Sequence, residues 1–280
     1  MVGLSRSSAY YVTKEREDGP LRAALKKKAG QRRRWGYRRL TVLLRREGFR
    51  DNHKRIERIY REEKLQVKRR IKKQTARWRG ESLKVAERAN ECWSLDFIHD
   101  SLWDGRRLRF LTVEDDYTRE NLAIEADSSL PGQRVIRVLE RVSQERGLPE
   151  RLLMDNGPEF IGKAVDEWAY LKGVKLQFIE PGKPMQNGYT ESFHGKFRDE
   201  CLNEHWFLNL ADARKITSEY RQDYNHVRPH QSLKYQTPVE FAAKCRQQVA
   251  APFSPQGGGE EEKTMDINKQ TGLIIPIGLS

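Results

Sequence analysis

The sequence contains few cysteines and lacks any long apolar run. Its three cysteines, Cys92, Cys201 and Cys245, are odd in number and widely separated among 280 residues. This pattern argues against a disulfide framework and a paired zinc knuckle, and it fits a reducing compartment. No stretch is apolar for long enough to span a bilayer, and the first residues lack the apolar core of a secretion signal. We therefore expect a cytoplasmic protein with no membrane partner.

Acidic residues are scarce in the first third of the chain. Residues 1–79 hold 27 Lys or Arg against 8 Asp or Glu, whereas residues 80–280 hold 26 against 32. A basic segment beside a slightly acidic one is typical of a protein that binds DNA phosphates with one part and holds carboxylates in another. A membrane surface would also attract such charge, but Trp35, Tyr37 and the nearby leucines are spaced for a folded helical core.

The first predicted domain, residues 1–65, is helical. One helical pattern ends at Gly48, and a second helix begins after Asn52, with Ile56 and Ile59 in its apolar stripe. Helix, short turn and basic helix predict a helix-turn-helix, although an ordinary helical pair with a solvated basic face is the plain alternative. The cations off the apolar stripe are predicted to bind DNA: Lys54, Arg55, Arg58 and Arg61.

A basic linker is predicted at residues 66–88, and a disordered tail without an assigned role at residues 246–280. The run QVKRRIKKQTARWRG has seven basic residues and no acidic one, so its charges repel each other and favour an extended chain that meets DNA. The tail is rich in Pro, Gly and Glu. Within the linker, the predicted DNA contacts are Arg69, Arg70, Lys72 and Lys73.

The second predicted domain, residues 89–245, has an α/β pattern. WSLDFIHD, RRLRFLTVED and ENLAIEAD read as three successive strands with a hairpin turn at Asp104-Gly105. Helix and strand patterns then alternate through RLLMD and KLQFI to a helix that carries Glu191, and further helices follow. Three strands followed by alternating helices and strands predict a layered α/β domain.

Three carboxylates stand at positions where chemistry is expected. Asp96 lies inside an apolar strand, where a carboxylate is costly unless a cation compensates it, and Asp155 ends the strand RLLMD. Glu191 shares a helix face with His194 and Arg198. If these carboxylates converge, they form an all-oxygen site for Mg²⁺ or Mn²⁺, and two ions would clamp the oxygens of a phosphodiester displacement.

Each of these residues also has a plain structural interpretation. Asp155 begins the turn sequence Asp-Asn-Gly-Pro, and Glu191 is spaced to pair with Arg198 on the same helix. Nearby polar residues are interpreted as strand-end or turn residues: His99, Asp100, Asp115, Asp116 and Glu159. His226 and His230 lack zinc-ligand spacing with any cysteine, so no structural zinc is predicted.

Taken together, WSLDFIHD, LLMDNGPEF and NGYTESFHGKFRDECL resemble the integrase-core insertion-sequence transposases, relatives of retroviral integrases with a D, D, 35-residue gap, E signature. Here 58 residues separate Asp96 from Asp155, and 35 separate Asp155 from Glu191. Arg198 stands where that family usually places a cation that contacts DNA ends, and Lys183 and Asn187 are also predicted to contact DNA. The pattern YN..RPH..L..TP.EF, from Tyr224 to Phe241, is similar to the family as well.

The resemblance implies a fold and an activity. The expected fold is an RNase H-like core, with a mixed five-stranded sheet flanked by helices, after a small helix-turn-helix domain. The expected activity is metal-dependent cleavage at the ends of an insertion sequence and strand transfer by the liberated 3′-hydroxyl, with Asp96, Asp155 and Glu191 as catalytic residues and metal ligands. The expected partners are the terminal inverted repeats and target DNA.

Three further expectations accompany this assignment. Two DNA ends must be joined, so a homo-oligomer on DNA is expected in the bacterial nucleoid. The first residues resemble the tail of a helix-turn-helix unit, which predicts a fusion with, or a partner from, an upstream reading frame. The rival functions are a non-catalytic DNA-binding repressor or inactive transposase remnant, and an RNase H-like nuclease that acts on RNA or hybrids.

Overall fold

The computed structural model describes residues 17–67, 85–157, 159–180 and 188–250. Most of the predicted linker and nearly all of the predicted tail lie outside these ranges. So do six of the predicted DNA contacts: Arg69, Arg70, Lys72, Lys73, Lys183 and Asn187. Their roles stay predictions.

Within residues 17–67 the N-terminal domain contains three helices, α1 (Gly19–Gln31), α2 (Tyr37–Arg46) and α3 (His53–Glu62). Helix α3 begins as predicted, because the Asn52 side chain accepts a 2.9 Å hydrogen bond from the backbone N–H of Lys54. All three helices contribute to one apolar core, which includes Leu21, Leu25, Trp35, Leu40, Leu44, Ile56 and Ile59. The predicted helix-turn-helix is therefore present as α2, a turn and α3.

Five strands form the sheet of the second domain, and their order is β3-β2-β1-β4-β5. Their bounds are β1 (Cys92–Ser101), β2 (Arg107–Asp115), β3 (Asn121–Asp127), β4 (Arg151–Met154) and β5 (Lys175–Phe178). The pairs β1-β2 and β2-β3 are antiparallel, whereas β1-β4 and β4-β5 are parallel. This arrangement confirms the predicted mixed five-stranded sheet.

Helices cover both faces of the sheet. On one face, α4 (Gly132–Arg146) and α5 (Lys163–Lys172) pack against the side chains of Trp93 and Leu95. On the other face, α6 (Gly188–Glu200) and α7 (Leu210–His226) pack against Ile98 and Phe110. Because side chains alternate along a strand, Asp96 shares the α6 face with Ile98.

The last described helix is α8 (Pro238–Ala250), which continues past residue 246, the predicted start of the tail. A capping box begins this helix. The Thr237 backbone N–H donates to Glu240 Oε2 at 2.7 Å, and the Glu240 N–H donates to Thr237 Oγ1 at 3.2 Å. No helix in the described ranges is both long and apolar enough to cross a membrane.

Candidate active site

The parallel pairing of β1 with β4 determines where two of the three carboxylates lie. Trp93 pairs with Leu152 and Ser94 with Leu153. Continuing this register by two residues brings Asp155, directly after β4, alongside Asp96 on β1. Neighbouring strands lie about 4.8 Å apart, so the two carboxylates belong to one site at the end of the parallel part of the sheet.

Asp155 is held by the tight turn that follows β4. Its Oδ1 accepts a 3.0 Å hydrogen bond from the backbone N–H of Gly157, and the Asn156 side-chain amide donates to the Ile179 carbonyl oxygen at 2.9 Å. Asp155 can therefore belong both to a turn and to the candidate active site. The turn chemistry orients an exposed carboxylate beside Asp96.

Glu191 lies in the exposed first turn of α6, one turn before His194. His194 ties this helix to the sheet, because its Nε2 lies 2.9 Å from Thr112 Oγ1 on β2 and its Nδ1 lies 3.5 Å from Asp96 Oδ2. The Thr112 hydroxyl also contacts the backbone oxygen of Asp96, at 3.2 Å. A single buried threonine thus links the helix of Glu191 to the strand of Asp96.

The three carboxylates act on each other electrostatically. Burial raises the pKa of Asp96 to about 6, and the negative charges of Asp155 and Glu191 contribute to the rise against a hydrogen bond from the Phe97 N–H. The pKa of His194 is lowered to about 4 by burial and by the charge of Arg198. His194 is therefore neutral wherever Asp96 is ionised, and their contact is polar without being an ion pair.

The donor set suits a hard divalent cation, because it consists of carboxylates whose mutual repulsion a cation would relieve. Within the described ranges, however, no three His, Cys, Asp or Glu side chains are close enough together to form a metal-binding group. The three carboxylates are neighbours that do not enclose a coordination shell. A shared ion requires the exposed Asp155 and Glu191 to approach Asp96.

The sequence did not predict the ion pairs that α6 makes with neighbouring elements. Glu200, in the last turn of α6, accepts hydrogen bonds of 2.6 and 2.7 Å from the guanidinium of Arg228. Burial would raise the pKa of Glu200, but pairing with Arg228 lowers it overall. Glu114 on β2 is fully buried, and burial raises its pKa despite the nearby ammonium of Lys196. Arg228 is the Arg of the YN..RPH pattern, so the pattern has a structural role here.

Two other residues of that pattern are also internal. Tyr224 is 2% exposed and packs edge-on against Phe193 with ring centroids 4.9 Å apart. The Asn225 side chain exchanges hydrogen bonds with the backbone N–H and carbonyl of Asn121, at 2.9 and 2.8 Å. These contacts join α6, α7 and β3.

The predicted DNA-binding cations of α3 differ in their surroundings. Lys54 is exposed at the start of the helix, and the structure describes no ion pair for it within residues 17–67. Arg55 contacts Asp18 and Asp51, and Arg58 contacts Asp18 and Glu62, at 2.5 to 2.6 Å. Arg61 pairs with Glu57. Arg198, which lies on α6, is exposed, and its guanidinium is 3.5 Å from the His99 carbonyl oxygen. The paired arginines stabilise the domain itself, and a DNA contact by them stays a prediction.

The residues interpreted as turn or strand-end groups have internal partners. The Asp115 carboxylate accepts from the N–H groups of Asn90, Tyr117 and Thr118. Asp116 accepts from the Ser94 hydroxyl at 2.6 Å. Glu159, near Asp155, pairs with Arg109 at 2.5 Å, and these hydrogen bonds lower its pKa. These carboxylates are already engaged within the protein.

The chain is similar to proteins of bacterial insertion elements. Residues 86–184 and 172–238 match two families, both described as "Integrase core domain", and residues 17–73 match the "HTH-like domain" family. The uncharacterized 31.7 kDa protein of insertion element IS407 from Burkholderia multivorans is 51% identical over 257 residues, which cover 91% of this chain and 93% of that protein. The candidate transposase InsK of IS150 from Escherichia coli is 26% identical over 85% of this chain and 89% of its own.

The fold is also found in a solved integrase assembly. The structure of a simian T-cell lymphotropic virus intasome, in complex with PP2A regulatory subunit B56 gamma, contains a chain that is 14% identical, with a TM-score of 0.52 over 87% of this chain and 80% of that one. At this identity the likeness shows the fold alone. The identity with the IS407 protein over nearly the whole length of both chains shows the family. The chain belongs to the insertion-sequence transposases with an integrase core domain.

Proposed function

We propose that this chain catalyses divalent-metal-dependent cleavage and strand transfer at the ends of an insertion sequence, with Asp96, Asp155 and Glu191 as catalytic residues and metal ligands. The observation that carries the proposal is geometric, in a chain with an integrase core: the β1-β4 register brings Asp155 alongside Asp96, and His194, one turn after Glu191, lies 3.5 Å from Asp96. The chain places these three carboxylates on a strand, a strand end and a helix, which is a rigid frame for a site.

Each carboxylate has a distinct part in the proposed site. Asp96 is fixed in the centre of the sheet and supplies the immobile ligand. Asp155 is oriented by the Gly157 N–H, and Glu191 is presented on the exposed first turn of α6. A divalent cation, when bound, supplies the positive charge that activates the attacking water or 3′-hydroxyl and stabilises the departing oxygen, and a pair of ions would serve both oxygens.

The N-terminal domain is proposed to recognise the terminal inverted repeats, with Lys54 on the exposed start of α3. A lysine at the start of a recognition helix lies close enough to the DNA to contact a phosphate at the edge of the major groove. Arg198, on the same helix as Glu191, is exposed and is proposed to contact the phosphates of the bound end. Because two ends must be joined, the active form is proposed to be a homo-oligomer on DNA that also captures target DNA.

The test is a nicking assay with the DNA end that flanks the gene, labelled and incubated with purified protein and Mg²⁺. Asp96→Asn removes the charge with little change of shape and should abolish nicking at the 3′ boundary of the end. Asp100→Asn is the matched control, because Asp100 lies on the same strand and its carboxylate accepts a 2.8 Å hydrogen bond from the Ser101 N–H. This control should nick like the wild type, and EDTA should stop both.

Two outcomes would favour a rival function. End binding without nicking by any form, with Mg²⁺ or Mn²⁺, favours a non-catalytic DNA-binding protein or an inactive remnant. Equal cleavage of RNA–DNA hybrids that lack the terminal repeat favours an RNase H-like nuclease. If Asp96→Asn retains full nicking, the proposed catalytic site is wrong.

A further inference from the structure

The arginines that follow α1 contact the catalytic domain. In the run QRRRWGYRRL, Arg32 pairs with Asp223 on α7, and Arg34 lies 3.0 Å from Glu204 just after α6. Arg39 on α2 lies 3.5 Å from Glu200. From the sequence alone this run contributes to the basic, phosphate-binding charge of the first third. In the folded chain these three cations hold the helix-turn-helix domain against the core.

Glu200 is the central acceptor of this junction. Its carboxylate takes two hydrogen bonds from Arg228, one of 3.2 Å from the indole N–H of Trp35, and one from Arg39. The side chains of Arg228 and Glu200 are only 1% and 11% exposed. Charge-assisted hydrogen bonds in such a protected place are directional and strong. Glu200 is thus held from the N-terminal domain on one side and from the segment after α7 on the other.

The junction depends on these polar contacts. An open cleft of about 300 Å³ lies between the two domains, lined among others by Arg33, Trp35, Glu204 and Tyr220. Apolar packing therefore fills the space between the domains only in part, where Val227 packs against the N-terminal core. Loss of the hydrogen bonds would leave the orientation of the N-terminal domain on α6 weakly defined.

Glu200 and Glu191 belong to the same uninterrupted helix. They are nine positions apart, which is about 13 Å along the helix axis. A helix of this length moves as a rigid rod, so a tilt at Glu200 is passed to Glu191. Glu191 is in the exposed first turn and must meet Asp96 and Asp155 within a narrow tolerance. A displacement of about 1 Å at reacting groups can cost about 100-fold in rate.

We propose that Glu200 is a positioning residue through which the helix-turn-helix domain, by Trp35 and Arg39, holds the helix of Glu191 in its active orientation. The proposal rests on the proposed transposase function. Its consequence is that cleavage requires a docked N-terminal domain as well as bound DNA. The domain that recognises the DNA end then also completes the catalytic site.

The test uses the full chain with the double substitution Trp35→Phe and Arg39→Gln. Phe keeps the aromatic packing of Trp35, and Arg228 still satisfies the buried Glu200, so the variant should fold. The control is Arg46→Gln, because Arg46 also bridges the domains, at 2.8 Å, but its partner Glu240 lies on α8. Two quantities are measured: the nicking rate at saturating end DNA with Mg²⁺, and the Kd for the end.

The double variant should lose about ten-fold or more in nicking rate while its Kd changes less than about three-fold. The control should match the wild type in both quantities. Equal losses of rate in the double variant and the control would overturn the proposal, because the loss would then not depend on the contacts made to Glu200. A loss in Kd without a loss in rate would also overturn it.

A second readout does not require activity. Hydrogen exchange of the backbone amides of residues 192–197 reports how firmly α6 is held. Faster exchange in the double variant, with no change in the Arg46→Gln control, supports the positioning role even if the wild type proves not to nick. Unchanged exchange in the double variant overturns it. An inactive wild type would overturn the proposed function alone.

Discussion

The backbone N–H of Gly157 donates a 3.0 Å hydrogen bond to Oδ1 of Asp155, and a Cβ added at Gly157 would lie 2.9 Å from that same oxygen. The contact is closer than a methyl group and an oxygen tolerate. The added Cβ would also lie 3.4 Å from the Glu159 carboxylate, which Arg109 holds in place. The position of the Asp155 carboxylate therefore depends on residue 157 being a glycine, without a Cβ atom.

Gly157→Ala is expected to push the Asp155 carboxylate away from Asp96. The nicking rate should fall about 10- to 100-fold, because a misplaced ligand weakens the site without removing it. Binding of the DNA end should be unchanged, because the substitution is remote from the N-terminal domain. The measurement is the nicking rate at saturating DNA, together with the Kd for the end.

Gly195→Ala is the matched control for this substitution. Gly195 is exposed on α6, and a Cβ there would meet no atom within 4 Å. Alanine should stabilise the helix interior by about 0.5–1 kcal/mol and leave nicking unchanged. Equal loss of nicking in the two alanine variants would contradict the steric explanation.

The Thr112 hydroxyl makes a second contact that is expected to affect the geometry of the site. Thr112→Val keeps the shape of the side chain but leaves His194 Nε2 without its partner on the sheet. The protein should lose about 1–3 kcal/mol of stability, because a half-buried ring nitrogen is left unsatisfied. Nicking should fall as well, since His194 ties α6 to the strand of Asp96. Urea unfolding and the nicking assay measure the two effects.

Thr41→Val controls for the loss of a buried threonine hydroxyl. The Thr41 hydroxyl donates a 2.8 Å hydrogen bond to the Tyr37 carbonyl oxygen in its own helix. This variant should nick at the wild-type rate. If it loses as much activity as Thr112→Val, general destabilisation is the better explanation.

The sequence predicted the strands and the helix of the site because these depend on local patterns. Asp96 is recognisable as a carboxylate within an apolar strand, and Asp155 as the end of the next buried strand. Their adjacency follows from parallel pairing of β1 with β4, which an α/β pattern favours. The fold and the family were predicted correctly from these features and from the spacing to Glu191.

The ion pairs between distant segments could not be predicted in this way. Arg55 reads as a free cation on a basic helix, but Asp18, which lies 37 residues earlier, pairs with it in the folded domain. The indole of Trp35 was assigned to a helical core, and its N–H reaches Glu200, 165 residues later. Such pairs depend on how elements dock, and charge patterns along the chain carry no information about docking.

Lys54 and Arg55 are expected to respond differently to removal of their charge. Lys54→Gln should weaken binding of the end and lower the salt dependence of the binding constant by about one phosphate contact, with an unchanged Tm. Arg55→Gln should lower the Tm, because it breaks the contacts with Asp18 and Asp51. Binding titrations at several salt concentrations and thermal unfolding measure both. Identical salt dependence for wild type and Lys54→Gln would exclude a phosphate contact at Lys54.

His230 is expected to make the protein sensitive to acid. Burial, together with the charge of Arg228, lowers its pKa to about 2, from an ordinary value of 6.5. Below pH 6.5 His230 therefore binds a proton in the unfolded chain but stays neutral in the folded chain. The free energy of unfolding then falls by about 1.4 kcal/mol for each pH unit. His230→Gln should remove this part of the slope, which is about 2 kcal/mol between pH 6.5 and 5. The control is the exposed His226→Gln, which should keep the wild-type slope in urea unfolding at each pH. Parallel slopes for wild type and His230→Gln would mean that His230 is not buried in its neutral form.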